Sequence, residues 1–404
     1  MEDWIRCNIG DVCKTISDTY RGDADNVVLV NTSDVLEGKC LNHQKSPNKD
    51  LKGQFKKTFQ KDDILYSEIR PANKRFAYID FDGTDYIAST KLMVIRHNDN
   101  IIPQFLYYII TSQAVIEELQ MLAESRSGTF PQITFSELAS LPIGLPPLPE
   151  QTKIVRLLKA LDDKIEVNRR INDNLEKQAQ ALFKSWFVDF EPFRDQLFTE
   201  SELGMIPNGW RATVLDELCS FISRGLTPKY DESSDELILG QTCVRNNIVT
   251  LDNARRHKPK QRTEKWVQQW DTLINSTGVG SLGRVGIVYF DMDNIAIDSH
   301  ITVARPKSAL VRHYVGRNLL SRQLEIENMA VGSTGQTELP KDRVKSLPVL
   351  LPDDNTLTLF NAIIEPIAFQ LYRNIEESRR LASLRDTLLP RLMSGELKVC
   401  DVML

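Results

Sequence analysis

The sequence predicts an α+β protein: two similar α+β lobes separated by a pair of long antiparallel coiled-coil helices, related by a pseudo-two-fold internal repeat. Three observations lead there. The chain is written twice, each copy opens in strand-and-turn sequence, and each copy closes on a stretch with seven-residue apolar spacing.

The repeat is read from landmarks. Trp4 recurs as Trp210, a shift of 206 (210 − 4). At that shift Cys13 meets Cys219, Ile16-Ser17 meets Ile222-Ser223, Ser127 meets Ser333, and Ser140-Leu141-Pro142 meets Ser346-Leu347-Pro348. Leu145-Pro146 then meets Leu351-Pro352, and Asn168, Leu175 and Leu182 meet Asn374, Leu381 and Leu388. Solenoid units run to a few tens of residues, so this is a tandem duplication of a whole two-part module.

The first lobe is expected over residues 1–147. It is rich in β-branched and aromatic residues broken by Gly, Asn, Asp and Pro, as in IDFDGTDYIASTKLMVIRH, with some helix around Ile102 to Leu122. The strip LPIGLPPLPEQ, carrying Pro142, Pro146, Pro147 and Pro149, forces extended backbone before Gln151. A helical spacer follows over 148–195, the second lobe over 196–352 and a second spacer over 353–404.

From Gln151 to Phe187 there is no Gly or Pro, and heptad spacing puts Ile154, Leu161, Asn168, Leu175 and Leu182 on one seam position. Leu158, Ile165, Asn172, Ala179 and Trp186 fall on the other. That predicts a helix of about 55 Å with a coiled-coil seam. Phe360, Ile367, Asn374, Leu381 and Leu388 repeat the first position in the second half. Because a lobe separates the two helices in sequence, the simplest pairing is antiparallel, with one lobe at each end. Asn168 and Asn374 sit mid-seam, where a polar residue lowers stability and fixes register. Pro366 has no counterpart in the first helix and is expected to kink or restart the second. Phe183, Trp186, Phe187, Phe190 and Phe193 are expected to anchor the first helix on the second lobe. Lys153, Arg156, Arg169 and Arg170 read as a solvated face.

Composition limits the function classes. The chain has 404 residues, 41% hydrophobic and 26% charged, which suits a folded protein of several domains. No apolar run is long enough to cross a membrane, and MEDWIRCNIG lacks the features of a signal peptide. The six cysteines, Cys7, Cys13, Cys40, Cys219, Cys243 and Cys400, form no CxxC pair, which points to reduced thiols and a cytoplasmic protein. His43, His97, His257, His300 and His313 lack ligand spacing, and GxxxxGK[ST], HExxH and GxSxG do not occur. Gly278, Gly280 and Gly283 in GVGSLG fit GxGxxG, but strand-and-turn sequence follows where a dinucleotide fold requires a helix. A glycine-rich β-connection is the expectation there, and no catalytic or metal-binding constellation emerges.

A basic stretch does recur. Lys45, Lys49, Lys52, Lys56, Lys57 and Lys61 precede the apolar strand DDILYSEI. Arg255, Arg256, Lys258, Lys260 and Arg262 precede WDTLINST. Net charge is −5, so a polyanion would have to be met locally, and matched positive segments on two lobes suit two segments of one DNA duplex. The lobes have diverged more than the spacers, so different surfaces can read different base edges.

LPPLPEQTKIVRLLKALDDKIEVNRRINDNLEKQAQALFKSWFVDFEP, from Leu145 to Pro192, resembles the central helical region of type I restriction-modification specificity subunits (HsdS). SELGMIPNGW, residues 201–210, is similar to the start of that family's second target-recognition domain, and LRDTLLPRLMSGEL, residues 384–397, to its C-terminal helical end. The order of lobe, helix, lobe, helix matches over essentially the full chain. The resemblance implies a non-catalytic subunit that recognises double-stranded DNA in two parts. It also implies docking of two adenine-methyltransferase subunits (HsdM) and of restriction and translocase subunits (HsdR). This chain would then hold no cofactor, with S-adenosylmethionine, ATP and Mg residing in the partners. Variable lobe sequences leave the bases read unassigned. The other readings are a coiled-coil adaptor with two protein-binding lobes, an enzyme using GVGSLG for a nucleotide, and a specificity subunit of a fused restriction-methylation enzyme.

Overall fold

The computed structural model describes residues 4–49, 53–126, 131–332 and 337–401. Lys52, Ser127 and Ser333 lie outside the described residues. Two compact units result: residues 1–165 with 380–404, and residues 166–379. The four segments expected from the sequence are thus distributed over two bodies, each containing one lobe and parts of both long helices.

The duplication is visible in backbone register. In the first unit strand Ile5–Asn8 pairs antiparallel with Pro142–Leu145, Ile5 opposite Leu145 and Asn8 opposite Pro142. In the second, Arg211–Val214 pairs with Pro348–Leu351, Arg211 opposite Leu351 and Val214 opposite Pro348. These are the same pairings moved by the same shift. Short helices Phe135–Ala139 and Lys341–Lys345 obey it too, as do the long helices Leu148–Phe187 and Asp354–Met393, 40 residues each.

Each lobe is built on two sheets. In the first lobe Ile64–Ser67 lies between Leu92–His97 and Phe76–Tyr78, and Leu92–His97 also takes Cys13–Ile16 on its far side. The second sheet runs Lys45–Pro47, Asn26–Val30, Tyr86–Ser89, Phe55–Lys57, with the two middle strands parallel. In the second lobe Thr272–Asn275 lies between Ile301–Pro306 and Val285–Ile287, and Cys219–Arg224 flanks Ile301–Pro306. Its smaller sheet runs Arg255–Arg256, Leu237–Leu239, Ile295–Ile297, again with the last two parallel. The alternating apolar residues of these strands, such as Ile64, Tyr66, Met93 and Ile95, close over helices Pro103–Ile110 and Gln113–Arg126.

The expected restart at Pro366 does not occur; the helix runs through it from Asp354 to Met393. Antiparallel pairing is seen within each unit. In the second, Asn168 Nδ2 donates to Glu377 Oε2 at 2.8 Å, Asn374 Nδ2 donates to Asn172 Oδ1 at 2.8 Å, and Phe183 meets Phe360 with ring centroids 6.4 Å apart. In the first, Arg385 Nη1 lies 2.7 Å from Asp162 Oδ1, and Leu388 and Leu392 join a core with Ile154, Leu158 and Leu161. Asn168 and Asn374 are both buried on the seam.

Burial departs from a strict heptad elsewhere. Ile165, Leu175, Leu182, Ile367 and Leu381 are only partly buried, whereas Phe183, Phe187, Ile364, Ala368 and Leu371 are buried. A straight helix drifts about 20° per heptad from a seven-residue stripe, and here the helix segments also face a lobe core. Phe183, Phe187 and Phe193 lie in the second lobe's core, with Trp186 and Phe190 packed against it. Lys153, Arg169 and Arg170 are exposed and ion-paired to Glu150, Glu166 and Asp173 within their own helix.

Candidate nucleic-acid interface

The basic stretches begin on the same edge strand of the two lobes. Lys45 pairs with Val28, whose parallel neighbour is Tyr86; Arg255 pairs with Ile238, whose parallel neighbour is Ala296. Insertions and deletions have moved the local shift by a few residues, so the equivalence rests on strand order rather than on alignment.

Within the first lobe the lysines separate. Lys45 lies on one edge of its sheet, 3.8 Å from Asp85, and Lys49 is exposed just beyond. Lys56 and Lys57 occupy the opposite edge. Lys56 and Lys61 are exposed, but Lys57 turns inward, donating to Thr90 O at 3.0 Å and Leu92 O at 2.8 Å. Burial pulls its ammonium below the usual lysine range. Lys57 therefore holds the turn at 89–92 and is not presented to a polyanion, contrary to the sequence expectation.

In the second lobe Arg255 stacks on Tyr230, its guanidinium carbon 3.4 Å from the ring centroid. Arg256 donates to Ser234 O at 2.5 Å, Lys260 Nζ lies 3.5 Å from Thr227 O, and Arg262 pairs with Asp293 at 3.0 Å. Lys258 is exposed. The segment 255–262 thereby forms a cationic layer held against residues 227–235 and, at Arg262, against Asp293.

Sequence reasoning missed two further features. The connection 68–75 of the first lobe carries Arg70 and Lys74, both with positive φ, at 46° and 51°. Non-glycine residues in that region are uncommon and concentrate at ligand-contacting turns. Lys91 sits beside this turn, 3.6 Å from Glu68 and 3.2 Å from Gln132 Oε1. The second feature is a duplicated ion pair. Arg96 makes two 2.7 Å hydrogen bonds to Asp63, and Arg305 makes bonds of 2.8 and 2.7 Å to Asp271. Asp63 Oδ2 also accepts from Gln60 N and Asp271 Oδ2 from Gln268 N, both at 2.8 Å. Each pair locks the start of the strand that follows the basic stretch to its neighbour in the sheet, Leu92–His97 in one lobe and Ile301–Pro306 in the other. The shared signal was the spacing Gln-x-x-Asp before each apolar strand, which the fixed shift of 206 hides.

GVGSLG connects Thr272–Asn275 to Val285–Ile287, and a strand follows Gly283 rather than a helix. The nucleotide reading loses its required geometry. Among the described residues no group of His, Cys, Asp and Glu is arranged to hold a metal, and no helix is long and apolar enough to cross a membrane.

Two copies of one α+β unit, each with a cationic edge strand and a loop cluster beside it, define a duplicated recognition module. The family model of the type I restriction modification DNA specificity domain matches residues 1–177. The HindI type I restriction enzyme specificity subunit of Haemophilus influenzae is 31% identical, over 98% of this chain and 100% of that one. The MjaIX specificity subunit of Methanocaldococcus jannaschii is 29% identical, over 74% of this chain and 70% of its own. The solved S subunit of a type I restriction-modification system from M. genitalium shares the fold, with a TM-score of 0.52 at 16% identity over 97% and 96% of the two chains. The chain belongs to the family of type I restriction enzyme specificity subunits. Its role is DNA recognition, and it is a non-catalytic subunit.

Proposed function

We propose that each lobe contacts one half of an asymmetric two-part target in duplex DNA, and that the long helices dock two adenine-methyltransferase subunits, to which restriction subunits are added. The observation that carries the first part is the common edge-strand position of Lys45 and Arg255 in two lobes whose other loops differ. A shared cationic position suits phosphates, which are alike everywhere, while differing loops suit bases, which are not. In this reading Lys45, Lys49, Lys56 and Lys61, with Arg255, Arg256, Lys258, Lys260 and Arg262, serve the backbone, joined by Arg70, Lys74 and Lys91.

Docking is supported by apolar side chains that the helices leave uncovered. Val167 and Ile171 are exposed one turn apart on the first helix, and Leu359 and Ile363 on the second, with Phe369 beyond. Side chains four apart share a helix face, so each pair is an apolar strip for a partner helix. S-adenosylmethionine, ATP and Mg belong to those partners, and the assembly works in the cytoplasm.

The test is the methylation map of a methylation-free host expressing this chain with its methyltransferase partner, against the methyltransferase alone. A two-part adenine-methylated motif seen only with this chain is expected. A stable complex that methylates no new motif and binds no DNA selectively would overturn the reading.

A further inference from the structure

The glycine-rich connection of the second lobe is built to hold one shape. Gly278, Gly280 and Gly283 have φ of 98°, 72° and 80°, a region glycine enters without steric cost. A Cβ on Gly283 would lie 2.6 Å from Glu327 Cβ, so the chain runs hard against the short helix Gln323–Asn328. Leu282 N donates to Gly278 O at 3.0 Å and Arg284 Nη2 to Gly280 O at 2.6 Å. Thr277 Oγ1 accepts from Gln241 Nε2 at 2.8 Å and lies 2.9 Å from His300 Nδ1.

At the apex stands Val279, 92% exposed, the highest value for a large apolar side chain among the described residues. One bare valine is ordinary on a protein surface; its setting is not. Gln241, Thr277 and His300 surround the turn with hydrogen-bonding groups. Residues 225–227 bridge the neighbour of His300 and the cationic layer: Ser299 N donates to Leu226 O at 2.7 Å, Lys265 Nζ donates to Gly225 O at 3.0 Å, and Lys260 Nζ lies 3.5 Å from Thr227 O. The matching connection of the first lobe, between Ile64–Ser67 and Phe76–Tyr78, carries Arg70 and Lys74 instead.

We propose that residues 277–281 are a base-reading finger of the second lobe, in which Val279 enters the major groove and packs on the 5-methyl group of a thymine. Gln241, Thr277 and His300 then face the neighbouring base edges, while the basic stretch holds the phosphates. The thymine methyl is the one apolar feature of the major-groove code, and a small branched side chain fits it. A minor-groove wedge would call for a larger side chain with free cations beside it, whereas Arg284 is tied back to the turn. The inference rests on the two-part DNA target proposed above.

The experiment uses the complex of this chain with its methyltransferase partner and duplexes carrying the methylated motif, with each thymine of the second half-site replaced in turn by uracil. Uracil lacks only the methyl group. Wild type should lose about three- to fivefold in affinity at one thymine, the worth of one buried methyl group. Val279→Ala should bind the parent duplex correspondingly less well and show no further loss at that uracil, with the first half-site unaffected. In cells, Val279→Ala should relax one position of the motif. Selective binding that is insensitive to every uracil, a second half-site without A·T pairs, or an unchanged uracil penalty in Val279→Ala would each overturn the finger while leaving the DNA reading standing. Absence of selective binding by wild type would overturn both.

Discussion

Asp271→Asn tests the structural reading of the second lobe most sharply. Asp271 is fully buried and the Arg305 side chain is 9% exposed, so the substitution removes a charge from a bidentate pair and strands a guanidinium away from water. Asparagine keeps an oxygen for the amide of Gln268, which isolates the ion pair from the turn it also caps. Removing one partner of a buried pair costs about 3–5 kcal/mol, because the remaining charge is uncompensated. The equivalent Asp63→Asn should cost less, about 1–3 kcal/mol, since Arg96 is 24% exposed and can recover part of its hydration. Four of the five tryptophans, Trp186, Trp210, Trp266 and Trp270, belong to the second unit, so tryptophan fluorescence during urea unfolding reports chiefly on it. Asp271→Asn should move that transition by about one molar or more, at a slope of about 1–3 kcal/mol per molar for a small unit. The double variant Asp271→Leu with Arg305→Met should recover most of the loss, because an apolar pair of similar volume carries no stranded charge. A shift in Asp271→Asn equivalent to under about 1 kcal/mol, or a double variant no better than the single one, would refute the argument.

Three further outcomes follow from the same geometry. Lys56→Ala should weaken DNA binding and reduce the salt slope by about one ion per lost phosphate contact, whereas Lys57→Ala should leave the slope alone and destabilise the first lobe by about 1–3 kcal/mol through its unsatisfied carbonyls; titrations over a salt series and urea unfolding separate the two. His313 is buried against Trp270 and hydrogen-bonded to Glu365, and burial depresses its imidazole from its ordinary value to about 4. The unfolded chain therefore takes up that proton first, and stability should fall as pH drops from about 6.5 towards 4, by up to about 3 kcal/mol. Glu365, held below the usual carboxylate range by Arg312 and His313 against its own burial, adds a loss of the same sign at the lower end, and His313→Phe should flatten the upper part of the pH profile. Val167→Glu with Ile171→Glu should leave the far-ultraviolet circular dichroism unchanged and abolish co-purification of the methyltransferase subunits; an intact complex would remove that face from docking.

How much was legible in the sequence depended on where the repeat kept its spacing. The strand pairs at 5–8 with 142–145 and 211–214 with 348–351, and both helices, fell at one fixed shift, so the duplicated architecture could be read directly. Inside the lobes the shift wandered, and the Asp63–Arg96 and Asp271–Arg305 pairs, which join residues far apart in sequence, were hidden by it. The uninterrupted helix at Pro366 shows tertiary packing overriding a local breaker: Phe360, Ile364, Ala368 and Leu371 bury one face continuously across the proline. Lys57 failed as a site residue for a related reason. A run of lysines looks uniform in sequence, but alternation along the strand Phe55–Lys57 sends neighbouring side chains to opposite faces, exposing Lys56 and sinking Lys57.

What duplication preserved and what it released also bears on specificity. Both lobes keep the strand that opens the basic stretch, the parallel pair behind it and the ion pair that locks the adjoining sheet. In the proposed reading these are the parts that serve a constant ligand, the phosphate backbone. Both lobes differ in the connection that follows the locked strand, with left-handed Arg70 and Lys74 in one and a glycine-held Val279 in the other. A rigid sheet edge can tolerate replacement of such a connection because its ends, Ser67 to Phe76 and Asn275 to Val285, are fixed by the ladder rather than by the loop. Specificity can therefore change one lobe at a time without disturbing the helix seam. A positively charged turn and an apolar one on the same scaffold are expected to read different base edges, so a symmetric target, with identical half-sites, is the outcome this fold is least suited to produce.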